Sequence, residues 1–208
     1  MSLEEDRSRP ETAGARIVLG LGNPGRRYAN TRHNVGFCAV ERLAAELHVR
    51  LRSGIVGDAA EAALAELGGR ELVIAKPLTF MNNSGDAAGR LAARFDARPR
   101  DFIVVYDDVA LPLGAIRIRP SGRSAGQKGM ESIIRALGTS DIPRVRMGIL
   151  GERTDEDLAD YVLDPFLPAE REPAEEMIER ATRAVLCILE EGVAPAMNLY
   201  NRRGDAPD

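Results

Sequence analysis

The 208-residue chain has no tryptophan, only two cysteines and two histidines, and no apolar run that approaches the roughly 18 residues needed to cross a bilayer. A membrane-embedded chain is therefore not expected. Cys38 and Cys187 sit far apart inside apolar helical patterns, which speaks against a disulfide framework or a cysteine-based metal site. The opening Met1-Ser2-Leu3-Glu4-Glu5-Asp6 is acidic and lacks an apolar core, so no secretory signal is expected and the chain reads as soluble and cytoplasmic. What is present, 44% apolar and 29% charged residues, suffices for one packed core and excludes a wholly disordered chain.

Lysine is scarce too: Lys76 and Lys128 are the only two, against 26 arginines. Net charge is −4, a weak argument against a nucleic-acid partner, but its distribution is uneven. Between Pro112 and Leu150 stand Arg117, Arg119, Arg123, Lys128, Arg135, Arg144 and Arg146, opposed only by Glu131 and Asp141. Acid gathers after Gly151, in Glu152-Arg153-Thr154-Asp155-Glu156-Asp157. A local basic field on an acidic protein steers a polyanion to one face, although a solvated arginine-rich surface has the same composition.

Residues 1–14 show no periodicity and read as a flexible leader, and 204–208 as a flexible tail, leaving 15–203 as a single domain. Arg16–Gly20, Leu72–Ala75 and Phe102–Tyr106 read as short buried strands, Ile116–Arg119 as a half-exposed strand and Val145–Leu150 as another. Helical spacing runs from Phe37 through Leu51, from about Ser84 (a candidate cap) to Phe95, from a Thr154-x-x-Asp157 capping box, and from about Pro173 to Glu191. Residues 57–67, Gly-Asp-Ala-Ala-Glu-Ala-Ala-Leu-Ala-Glu-Leu, look helical by propensity. Alternating strands and helices imply a single three-layer α/β/α domain whose binding loops gather at strand ends, with a mixed, mostly parallel central sheet.

Gly20-Leu21-Gly22-Asn23-Pro24-Gly25 has the spacing of a dinucleotide-binding turn. Pro24 removes an N–H that such a turn needs, and Arg26–Thr31 is a poor helix start; without a nucleotide, the glycines let the backbone approach a ligand closely. His48 falls near the edge of the first helix's apolar stripe and reads as structural. His33, in Thr31-Arg32-His33-Asn34, lies just after the glycine turn. A lone histidine is often structural, but Asn23, Asn82 and Asp107 also fall at or beyond strand ends. Asp107 at the end of the central strand can orient an imidazole and hold it as a base; with Asp108 it can instead bind a divalent metal, for which no third ligand is near. Asn82 and Ser84 can equally be helix caps. Ser121 to Met130 is a small-residue loop with two cations, suited to a phosphate backbone.

Together these segments resemble the bacterial peptidyl-tRNA hydrolase family. The matching residues are Leu21–Gly25, Tyr28, Thr31–Phe37, Lys76-Pro77, Thr79–Asn82, Ser84-Gly85, Asp107-Asp108, Leu111-Pro112, Gly114 and the stretch from Ile133 to Ile149. The resemblance implies a cytoplasmic, monomeric hydrolase of the ester joining peptide to tRNA, with no metal, cofactor or obligate protein partner. It implies His33 as the base activating water, Asp107 as its orienting partner, and Asn23 as the residue distinguishing blocked from free aminoacyl ends. Asn82 holds the peptide backbone, and Tyr28, Phe80 and Lys128 fall at tRNA-end and peptide positions. It also implies a strand, not a helix, near 57–67. Two departures stand out: Gly126-Gln127-Lys128-Gly129 replaces the common Gly-His-Asn-Gly, whose Asn amide usually assists substrate or water binding, and Ala110 replaces a frequent acid. A non-catalytic RNA-binding relative on the same fold is the competing reading, with the Gln127-Lys128 change in its favour. A nucleotide-dependent oxidoreductase is a third reading, weakened by Pro24.

Overall fold

A computed structural model describes residues 14–151 and 157–201. The leader apart from Gly14, the Thr154 end of the expected capping box and the 204–208 tail lie outside the described residues. Gly14 itself is not part of a loose leader, because its carbonyl accepts a hydrogen bond from Arg70 Nη2 at 3.0 Å.

Seven strands form one mixed sheet: β1 (Arg16–Gly20), β2 (Arg52–Gly54), β3 (Gly57–Leu67), β4 (Arg70–Pro77), β5 (Phe102–Pro112), β6 (Ile116–Arg119) and β7 (Arg144–Leu150), in the order β2-β3-β4-β1-β5-β7-β6. The four middle strands run parallel, while β2, β3 and β6 pair antiparallel at the edges. The period-2 alternation of the middle strands divides the core between two faces. Val18, Leu72, Ile74, Ile103 and Val105 pack with helices α1 (Val35–Glu46), α5 (Arg171–Glu191) and α6 (Val193–Tyr200). Ile17, Leu19, Val73, Val104 and Tyr106 pack with α2 (Ser84–Phe95) and α3 (Lys128–Leu137). Helix α4 (Leu158–Leu163) is short, six residues, and carries one buried side chain, Tyr161.

The helical propensity of 57–67 loses to pairing. Gly68 and Gly69, with φ of 59° and 72°, make the two left-handed positions of a hairpin turn, and Ala60 to Leu67 then pair with Pro77 to Arg70. A Gly-Gly pair between apolar runs was the local signal for this hairpin. Three helix boundaries also differ from expectation. Helix α1 ends at Glu46, and His48 lies beyond it, exposed in a left-handed conformation (φ 55°). Asn83, not Ser84, is the N-cap of α2; the Ser84 hydroxyl instead donates to Met81 O at 2.8 Å. Helix α4 is capped by Asp157, whose side chain accepts from Ala159 N at 3.0 Å.

Two long-range side chains finish the architecture. Asn201 donates to Ile118 O at 3.0 Å and accepts from Ile118 N at 2.7 Å, which occupies the open edge of β6. Lys76 is structural: its ammonium lies 2.6 Å from Glu41 and 3.0 Å from Glu61, tying β4 to α1 and β3. Burial works against that charge, but the two carboxylates prevail and raise its pKa.

At its N-terminal turn, helix α1 meets the sheet backbone to backbone. A Cβ on Gly36 would strike Val105 O and both backbone polar atoms of Leu21, and one on Gly20 would strike Gly36 O. Gly36→Ala should therefore cost about 1–3 kcal/mol in urea unfolding, as overpacking does. Gly89→Ala, on an open face of α2, should gain about 0.5–1 kcal/mol in the same measurement through helix propensity.

Candidate active site

The close approach of α1 delivers the turn preceding it, Arg32–Asn34, to the C-terminal end of β1 and the middle of β5, which runs on past Asp107 to Pro112. There His33 Nδ1 lies 2.7 Å from Asp107 Oδ2, with their side chains 13% and 3% exposed. Asp107 and Asp108 are neighbours on β5, so the strand sends them to opposite faces. Asp108 accepts from Arg146 Nε with one oxygen and from Ala110 N at 2.8 Å with the other. The two carboxylates are thus held by separate partners, Asp107 by His33 and Asp108 by Arg146, and do not converge as the alternative of a divalent-metal pair requires. Among the described residues no three His, Cys, Asp or Glu side chains come together as a metal-binding group.

A cleft of about 730 Å³ opens above this pair. Its floor is Asn23, His33, Tyr106 and Asp107; one wall is Phe80 to Asn82, another Ser124 to Lys128, and the third is the Asp157–Leu163 stretch carrying α4. Asn23 is fixed on three sides. Its backbone N–H donates to Asn34 Oδ1 at 2.8 Å, its carbonyl accepts from Asn34 Nδ2 at 3.0 Å, and its Oδ1 accepts from Met81 N at 2.8 Å. With Oδ1 so engaged, the amide NH2 is the end left for a ligand. Asn82 and Lys128 are exposed on the cleft walls, and Phe80 is 55% exposed at the rim. Tyr28 does not line the cleft; it meets Phe80 edge-to-face at 6.3 Å from behind.

The glycine-rich turn is no dinucleotide site. Gly25 (φ 101°) leads into a single 3-10 turn, Arg26–Tyr28, not into an α-helix whose N–H groups could hold a pyrophosphate. The basic field also shrinks on inspection. Arg144 is buried and spent on the carbonyls of Ile142, Gly122, Arg123 and Ser140, at 2.9, 2.6, 3.3 and 2.8 Å, and burial lowers its pKa. It thereby shapes the loop that becomes the Ser124–Lys128 wall. Arg146 is paired with Asp108. Arg119, Arg123, Lys128 and Arg135 are the exposed cations of the segment.

Sequence reasoning missed three contributors. Asn34, 3% exposed, locks the Asn23 backbone; its place beside His33 was the available signal. Leu158, Val162 and Leu163 of α4 form an apolar wall that no local pattern announces. Gln127 caps α3 by accepting from Met130 N at 2.7 Å and donates from Nε2 to Asp107 Oδ1 at 3.0 Å.

The support for α4 reaches back to the His33 turn. Arg32 Nη2 lies 2.6 Å from Glu170 Oε2, with its guanidinium over the rings of Tyr161 and Phe166 at 4.5 and 4.9 Å. The Tyr161 hydroxyl in turn donates to Ile149 O at 2.8 Å and accepts from Gly151 N at 2.9 Å.

Comparison with known proteins agrees with this arrangement. A family profile described as peptidyl-tRNA hydrolase matches residues 17–207. The chain is 42% identical over 188 residues to the peptidyl-tRNA hydrolase of Aquifex aeolicus, covering 90% of this chain and 97% of that protein. It is 42% identical over 182 residues to that of Mycobacterium bovis, covering 88% and 95%. The crystal structure of peptidyl-tRNA hydrolase from Acinetobacter baumannii superposes with a TM-score of 0.84 at 27% identity, covering 92% of this chain and 97% of that one.

Arg32→Met should leave Glu170 charged and unpaired in the interior, at a cost of about 3–5 kcal/mol in chemical denaturation. Arg42→Met, which removes an exposed partner of Glu175, should cost less than about 1 kcal/mol by the same measurement.

Proposed function

The chain belongs to the peptidyl-tRNA hydrolase family and is an enzyme of that type, and we propose that it hydrolyses the peptide–tRNA ester with a water activated by His33 and oriented through Asp107. The observation that carries the reading is the 2.7 Å contact between His33 Nδ1 and the nearly buried Asp107 at the floor of the cleft. An ionised carboxylate only accepts hydrogen bonds, so Asp107 selects the tautomer with the proton on Nδ1 and leaves the Nε2 lone pair as the base.

The chemistry then runs in two steps. Nε2 takes a proton from water as its oxygen bonds to the ester carbonyl carbon, giving a tetrahedral oxyanion. The intermediate collapses by breaking the bond to the ribose oxygen, which leaves with the proton from the imidazolium, so the products are a free tRNA 3′ end and a peptide carboxylic acid, which then loses its remaining proton to solvent. An ester is a better electrophile than an amide, so general-base catalysis, worth roughly 10²–10⁴, goes far without a covalent intermediate. Asp107 stabilises the transient imidazolium, the role a carboxylate plays beside a catalytic histidine.

Asn23, with only its NH2 end uncommitted, suits the acyl side of a blocked substrate, and Asn82 suits the peptide backbone along the cleft wall. Phe80, braced by Tyr28, offers an apolar surface at the rim, while Lys128 and the exposed Arg119, Arg123 and Arg135 supply charge for a phosphate backbone. We read the protein as a cytoplasmic monomer that needs no protein partner; among the described residues no helix is long and apolar enough to cross a membrane.

The test is release of peptide from N-acetyl-aminoacyl-tRNA, with the unblocked aminoacyl-tRNA as control. His33→Ala should lose at least about 10²-fold in kcat while still binding tRNA. Cleavage by wild type undiminished in the variant would remove His33 as the base, and a wild type that binds but cleaves nothing would favour the non-catalytic RNA-binding reading. Affinity for tRNA should also fall as salt rises, since charge contacts release counterions; salt-independent binding would remove the exposed arginines from the interface.

A further inference from the structure

We propose that Gln127 is a positioning residue for the reaction: its side-chain amide, oriented by the first turn of α3, holds the second oxygen of Asp107 and so fixes the carboxylate that orients His33. This rests on the reading of His33 and Asp107 given above.

The direction of the Gln127 amide is decided by chemistry. Met130 N–H is only a donor, so the atom 2.7 Å from it must be the amide oxygen, and the NH2 group must be the end 3.0 Å from Asp107 Oδ1. The same NH2 group lies 3.2 Å from Met81 Sδ, whose residue is tied through its backbone to Asn23. Each oxygen of Asp107 therefore has its own N–H donor, His33 on one and Gln127 on the other.

That matters because the terminal torsion of an aspartate is soft and two-fold. A carboxylate held on one oxygen can turn and carry the imidazole with it; one held on both cannot. With Oδ1 taken by the Gln127 amide, Oδ2 stays turned toward Nδ1 as its acceptor. The N-cap of α3 and the orientation of the base thus depend on the same side chain, at a position where the resemblance led us to expect a histidine.

Two variants separate this role from capping. Gln127→Glu keeps the cap acceptor and the length but replaces the donor with a second carboxylate. Gln127→Ser keeps a capping hydroxyl and is too short to reach Asp107. The other charged groups at the cleft, Asp108 with Arg146, Lys128 and Asp157, are untouched in both. For each, kcat and KM on N-acetyl-aminoacyl-tRNA are measured across pH, and the His33 ring tautomer is read by nitrogen-15 NMR.

In Gln127→Glu the acid limb of kcat/KM should move up by about one pH unit, because an added negative charge favours the imidazolium. In Gln127→Ser kcat should fall about tenfold with KM within about twofold, as misorientation predicts, and the Nδ1–H tautomer should lose its predominance. A purely capping role, which both variants preserve, would leave the unfolding midpoint of each and the kcat and tautomer of Gln127→Ser where they are in wild type. That result, or a wild type whose His33 carries its proton on Nε2, overturns the proposal. Asp107→Asn in the same assay tells the two readings apart. If it is crippled while the Gln127 variants are unchanged, the positioning role alone falls; if it is fully active, the His33–Asp107 reading falls and takes this one with it.

Discussion

The contact on which the rest of the site depends is the backbone-to-backbone approach of α1 to the end of β1 and the middle of β5. Gly20 and Gly36 leave no side chain between them, so the helix sits close enough for its preceding turn to reach the strand that carries Asp107. A single methyl group there would push the turn outward, and a hydrogen bond of 2.7 Å tolerates little displacement. The Leu21 N–H to Val105 O bond at 2.9 Å and the Asn34–Asn23 pair of hydrogen bonds hold the same junction from the glycine-turn side. Precise placement of His33 against Asp107 is thus a consequence of core packing beneath it.

Around this junction the charged residues are divided by burial. Arg32, Arg144 and Arg146 are committed inside the molecule: one clamps the α4 support, one shapes the Ser124–Lys128 wall, and one occupies Asp108. Pairing Asp108 with Arg146 and the Ala110 N–H leaves Asp107 as the carboxylate facing His33. Of the exposed cations between Pro112 and Leu150, Lys128 lines the cleft, whose interior is largely amide and apolar.

Much of this was legible before any coordinates. The buried strands, the long C-terminal helix and the α/β layering follow from apolar runs of 4–8 residues and from 3.6-residue periodicity, which are properties of local sequence. His33, Asn23 and Asp107 stood out because each falls next to a strand end or a glycine turn. Local reasoning failed where a distant partner decided. Residues 57–67 have the composition of a helix, yet β4 supplies eight paired positions and the Gly68-Gly69 turn supplies the direction. Arg144 and Arg146 look like two more surface cations, because nothing within a few residues of them shows that four carbonyls and a carboxylate await.

By itself the sequence determined which residue types were available and in what order: one histidine beside a glycine turn, two adjacent acids on a central strand, amides at strand ends. Alternation along β5 was also implicit in it, since neighbouring strand residues must face opposite ways. Only the tertiary structure decided which acid met the histidine and which met Arg146, and that Gln127 would cap a helix and anchor Asp107 at once. The physical reason is reach. Hydrogen bonds select partners within about 3 Å in space, and the side-chain partners of the two acids lie 20 to 74 residues away in the chain.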